Sequence, residues 1–135
     1  MLTSMTTLNA QDVSVHRWEN RLLILLTEDT EDMLLKKQLE ELSNCREGIE
    51  DRKLIVYRST KDKFRKGLDS EGEWKNSSDI YKKYKGNKPG FQVVLIGLDG
   101  GIKIDQSEII SCEELFGTID SMPMRKAEMR KNKER

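Results

Sequence analysis

Hydrophobic positions change their period several times along this chain, and each change marks an element. Residues 21–27 (RLLILLT) form a continuous apolar run closed by acids, the pattern of a strand buried on both faces. From Asp29 or Thr30 to about Glu47 the spacing becomes three and four. Leu35, Gln38, Leu39, Leu42, Cys45 and Ile49 then share one helix face, with acids in the first turn and Gly48 as its stop. Residues 53–58 (KLIVYR) predict a second buried strand, and residues 60–75 a long polar connection anchored only by Phe64 and Leu68. A short helix over 78–85 groups Ile80, Tyr81 and Tyr84 and ends at Gly86. Residues 91–96 read as a third strand, and Asp99-Gly100-Gly101 as a hairpin turn. Ile102 and Ile104 alternate with charged residues, as in an exposed edge strand. Ser111 and Glu114 make a capping box for a helix with Cys112, Leu115, Phe116 and Ile119 on one face, stopped by Pro123.

Two strands joined by a long helix should be parallel with a right-handed crossover, and two joined by a tight turn antiparallel. The expected fold is α/β and thioredoxin-like, β-α-β-α-β-β-α, with a central mixed four-stranded sheet flanked by helices. At 135 residues the chain suits one domain, taken as residues 16–124 between an N-terminal extension (1–15) and a basic C-terminal tail (125–135). That tail holds six positive and two negative charges, net +4, with only Ala127 and Met129 to bury.

Charge removes some functions. The 24 basic and 24 acidic side chains cancel, and the basic segments alternate with acids and lack paired aromatic platforms, so no nucleic-acid partner is expected. The longest apolar run, residues 22–26, is far short of a membrane span. Residues 1–10 lack a positive charge and a continuous apolar region. Residues 8–11 (LNAQ) are either the stub of a cleavage site or part of an unstructured extension. A single histidine, His16, argues against a histidine-based zinc site or a Ser-His-Asp triad. No cofactor and no metal are implied.

Residues 90–103 (GFQVVLIGLDGGIK) and 113–130 (EELFGTIDSMPMRKAEMR) closely resemble a domain of unknown function. It occurs in bacterial, often exported, single-domain proteins and in vertebrate extracellular proteins. The latter are the sushi-repeat-containing group and a matrix protein lost in oncogene-transformed cells. Residues 18–21 (WENR) look like that domain's opening motif, and residues 120–125 (DSMPMR) are the most specific part of the likeness. The resemblance implies a thioredoxin-like or peroxiredoxin-like fold and a periplasmic or extracellular location. It also singles out Trp18, Arg21, Asp99, Gly100, Gly101, Pro123, Met124 and Arg125 as motif positions, structural or binding.

Thioredoxin chemistry needs a thiolate at a helix start, with a second cysteine three residues on. The equivalent turn here, residues 27–33 (TEDTEDM), has four carboxylates and no thiol. The position of the usual cis-proline falls at Phe91 or Gln92, with Pro89 too early. Cys45 and Cys112 read as core fillers on their helix faces. With both helices starting at the same end of the sheet, the two cysteines should lie at opposite ends of the molecule and form no disulfide. Asp29, Glu31 and Asp32 read as dipole partners rather than metal ligands, and Asn76-Ser77-Ser78 as a loop and cap that also matches a glycosylation sequon. The expected function is a non-catalytic binding or protein-interaction module with an unidentified protein partner. The alternative is an atypical thiol peroxidase or reductase using Cys45 or Cys112.

Overall fold

A computed structural model describes residues 13–68, 73–86 and 88–133. Most of the N-terminal extension, with residues 8–11, lies outside the described residues, as do the last two positions of the tail and part of the connection after Leu68. The centre is a mixed sheet of six strands in the order β4-β3-β2-β1-β5-β6. Strand β1 (Arg21–Leu26) runs parallel to β2 (Leu54–Ser59), with Leu23 opposite Val56. On its other side β1 pairs antiparallel with β5 (Gln92–Ile96), with Ile24 opposite Val94. Strand β6 (Ile102–Gln106) returns beside β5 as an edge strand, with Ile104 half-buried; Ile102, expected on the same covered face, is 55 % exposed beyond a register shift at Leu95–Ile96.

The apolar run of β1 is continuous because both faces of the sheet are covered. Leu23 and Leu25 pack with Leu35, Leu42, Leu115 and Ile119. Leu22, Ile24 and Leu26 pack with Tyr57, Phe64 and Ile80. Each such side chain, fully buried, contributes about 1.5–3 kcal/mol of transfer free energy.

Helices α1 (Met33–Ser43), α2 (Arg46–Asp51) and α4 (Cys112–Asp120) supply the first layer, and α3 (Asp79–Tyr84) belongs to the second. At α4, Ser111 Oγ accepts the Glu114 N–H at 3.0 Å, as its capping box predicts.

Four expectations are corrected. The sheet has six strands, not four: the connection after Thr60 contributes β3 (Lys63–Lys66) and β4 (Lys75–Asn76). Only Phe64 in that stretch is buried and apolar, so no alternation announces the strand. Arg65 is buried instead beside the Trp74 ring, 5.7 Å from its centroid. The long helix expected to run to Glu47 is two helices. Asp32, not Asp29 or Thr30, caps α1 by accepting the Leu34 N–H at 2.8 Å, and the chain leaves helical geometry at Cys45 (φ −136°). Gly48, expected as a stop, sits inside α2, where a Cβ would lie within 2.7 Å of Phe116 Cζ.

The third correction is the largest. Cys45 and Cys112 form a disulfide, their Cα atoms 6.5 Å apart. The expected separation assumed that α4 starts where β6 ends. Residues 107–111 instead run back along α1. There the Gln38 side chain accepts the Ile110 N–H (2.7 Å) and donates to the Ile110 carbonyl (2.9 Å). The Cys112 N–H then donates to Glu41 Oε2 at 2.8 Å. By its first residue α4 has already reached the last turn of α1, beside Cys45.

Pro123 does not merely stop a helix. It opens another, α5 (Pro123–Lys133), at the position where its missing N–H costs nothing. The boundary drawn between Met124 and Arg125 therefore falls within a helix.

Candidate functional site

The motif positions converge on the end of the sheet where β1 begins. Trp18 is 60 % exposed and adopts a left-handed φ of 73°, with its N–H donating to the Leu98 carbonyl at 2.6 Å. This bond ties the approach to β1 onto the β5–β6 turn. Within that turn Asp99 accepts the Gly101 N–H (2.9 Å) and pairs with Lys103 (3.2 Å). The Gly101 N–H, then Lys103, holds the Asp99 carboxyl below the usual carboxylate range. Gly100 takes φ 85°, a backbone conformation that favours glycine.

Arg125, four residues after Ser121, is buried and held by three carboxylates. Its guanidinium donates to Asp51 (2.7 Å), Asp120 (3.0 Å) and Glu128 (3.4 Å). Burial pulls its pKa down, but the three acids outweigh this and the net shift is upward. Asp120 also receives Arg52, which donates from Nε at 3.1 Å and Nη2 at 2.8 Å. Arg52, and after it Arg125, holds the Asp120 carboxyl low against an opposing effect of burial. Glu128 accepts in turn from Arg21 at 3.4 Å. Three arginines and three acids thus join the start of β1 to α2, α4 and α5. The pairs alternate in sign, which compensates desolvation that a lone buried arginine could not.

Arg21, Asp99, Pro123 and Met124 line one cleft of about 330 Å³, together with Leu98, Lys103 and Met122. Its walls come from the β5–β6 turn and the α4–α5 junction, two segments far apart in sequence. Trp18, Gly100, Gly101 and Arg125 are not among its lining residues; they hold the turn and helix that form it. Asp51, Arg52 and Glu128 are participants that sequence reasoning missed. Their only signal is the abundance of opposite charges near the motif arginines, and pattern alone cannot pair residues separated by 74 positions, as Asp51 and Arg125 are.

At the other end of β1 the acid-rich turn is satisfied locally. Thr27 Oγ1 donates to Asp32 Oδ2 at 3.1 Å, and Asp29 Oδ1 accepts the Glu31 N–H at 2.9 Å. Among the described residues no three His, Cys, Asp or Glu side chains form a metal-binding group, and no helix is long and apolar enough to cross a membrane. Asn76 is exposed on edge strand β4.

The sequence pattern that defines a domain of unknown function, DUF4174, matches residues 12–128, and the chain belongs to that family. No curated protein and no solved structure matches it.

Proposed function

We propose that this member of the DUF4174 family is a non-catalytic, thioredoxin-like binding module of an oxidising compartment outside the cytoplasm. The strand order β2-β1-β5-β6, with a parallel β1–β2 pair and an antiparallel β5–β6 hairpin, supports the thioredoxin-like relationship. The resemblance read in residues 113–130, to a domain of exported bacterial and vertebrate extracellular proteins, is the ground for placing it in an extracellular or periplasmic setting. The observation that carries the reading is the Cys45–Cys112 disulfide. It joins the α1–α2 junction to the start of α4, whereas thioredoxin chemistry would sit in the turn after β1, which offers only hydroxyls and carboxylates. A disulfide of this kind persists in secreted proteins and is rare where thiols are kept reduced.

A second reading, a thiol peroxidase or reductase using Cys45 or Cys112, has one point in its favour. Cys112 is the first residue of α4, and a helix start lowers a thiol pKa. Against it, the Glu41 carboxylate already accepts the Cys112 N–H and would repel a thiolate there. The test is insulin reduction with dithiothreitol and peroxide consumption with a thiol donor, each compared with the Cys45→Ala/Cys112→Ala variant. The expected result is no turnover above that of the variant. Turnover lost in the variant would transfer the assignment to the thiol enzyme.

A further inference from the structure

Arg21 carries an unmet bonding capacity at the cleft. Its side chain is 1 % exposed, and a guanidinium has five N–H donors. Nη1 donates to the Arg52 carbonyl at 2.9 Å and to the two Glu128 oxygens at 3.4 and 3.5 Å. Nε and Nη2 are buried and have no hydrogen-bond partner among the described residues. Leaving charged donors unbonded away from water is costly, more so than leaving neutral ones. These two groups are not a random pair. Nε–H and Nη2–H point along one edge of the guanidinium plane, the edge that receives both oxygens of a carboxylate side by side.

The surroundings narrow the chemistry. Leu98, Met122 and Met124 give the cleft apolar walls, and Lys103 adds a cation already paired with Asp99. Glu128 shares Arg21 and disfavours a dianion such as phosphate, whereas one negative charge on an apolar body fits both floor and walls. Met124 is 43 % exposed, and unbranched thioether side chains move aside readily to admit a ligand.

We infer that this cleft binds a carboxylate carried on a short apolar group, the carboxylate gripped by Nε and Nη2 of Arg21 and the apolar part lying against Leu98, Met122 and Met124. The inference rests on the reading of the protein as a binding module. It assigns the binding chemistry, which could be presented by a free small acid or by the C-terminal carboxylate of a polypeptide.

The test is an NMR titration of the oxidised protein, following the Arg21 Nε–H signal and the methionine methyls. The probes are hexanoate, hexanamide, and N-acetyl-Ala-Ala-Leu with a free or an amidated C-terminus. Saturable shifts of Arg21 Nε–H and of the Met122 and Met124 methyls with an acid, and none at Nε–H with its amide, support the site. Tighter binding of hexanoate assigns a small acid, and tighter binding of the free-acid peptide assigns C-terminal recognition; either supports the carboxylate site. No Nε–H shift with either acid, or equal shifts with acid and amide, overturns it. Arg21→Gln removes a buried partner of Glu128 and risks unfolding, so Met124→Glu serves as the second variant. It alters an exposed wall and should weaken acid binding by roughly tenfold or more through like-charge repulsion. Unchanged affinity in folded Met124→Glu protein overturns the placement. Failure here would leave the non-catalytic reading intact, since that reading stands or falls on the turnover assays.

Discussion

The two ends of β1 carry charge in opposite styles. After Leu26 the acids are bonded within a few residues: Asp32 caps α1, Asp29 closes its own turn, and Thr27 bridges to Asp32. Nearby, burial and then the charge of Glu28 raise the pKa of Tyr81. The carboxylates of residues 28–32 would repel a thiolate in this turn. Before Leu22 the charges are bonded over long sequence distances, Arg21 with Glu128, Arg125 with Asp51 and Arg52 with Asp120, and one arginine edge is left over. Local pairing finishes a structure, whereas long-range pairing with a residue to spare is how a fold holds a ligand group in place. The turn where thioredoxin chemistry would be sought holds no thiol, and the cleft lined by Arg21 lies at the other end of β1.

Removing the disulfide should give the largest loss of stability. It closes a loop of 67 residues, and constraining such a loop in the unfolded chain is worth about 4 kcal/mol on the chain-entropy account. Urea denaturation of Cys45→Ala/Cys112→Ala should show a loss of that order. A loss below about 1 kcal/mol would mean that the staple lies on a segment already free to open.

Next comes Arg125→Met. It takes away the arginine bonded to Asp51 and one of the two bonded to each of Asp120 and Glu128, and should cost about 3 kcal/mol, the range for breaking a partly buried ion-pair network. Truncation after Met124 should cost at least as much, because it also removes Glu128. Near-native stability of the truncated chain would show that α5 does not bind the domain.

Gly48→Ala sets two effects against each other. The helix gains about 1 kcal/mol from alanine, but the new methyl meets the rigid Phe116 ring, and overpacking typically costs 1–3 kcal/mol. Arg52 lies over the same ring at 4.0 Å and limits its retreat. A net loss of about 1 kcal/mol is expected, recovered by Phe116→Leu, with calorimetry as the readout. A net gain would show that the α2–α4 contact is loose.

Acid dependence should be a smaller effect. The folded-state pKa of Asp120 is lowered, so the unfolded chain binds more protons in that window. Its contribution is complete above the unfolded value of about 3.9 and is lost as pH falls through the folded value. Asp120→Asn should therefore flatten the stability curve below about pH 4 and leave its slope near neutrality unchanged. At the closed end, Asp32→Ala should cost only about 1 kcal/mol, the value of one helix cap, with no effect on acid binding at the cleft.

Much of the layout was legible in the sequence because it follows from local period. The doubly buried run of β1, the Asp99 turn with its antiparallel strands, and the Ser111 cap all form where their patterns place them. Strands β3 and β4 were not legible because their inward positions are held by Phe64, Arg65 and a contacting Trp74 rather than by alternating aliphatics. The disulfide was hidden for a different reason. Its geometry depends on the path of residues 107–111, set by the Gln38 side chain bonding Ile110 and by Glu41 bonding Cys112, 71 positions away. Four of the eight motif positions, Arg21, Asp99, Pro123 and Met124, meet at one cleft. Its motif residues could be named, but the acids that steady them come from helices whose placement no spacing reveals.

The claim that the cysteines form a structural staple is tested most directly by a non-reduced peptide map. The protein should be taken from an oxidising compartment and treated with an alkylating agent while folded. One cross-linked peptide pair joining Cys45 to Cys112, and no alkylated cysteine, is the expected result. Both cysteines recovered alkylated, or each joined to another chain, would contradict it.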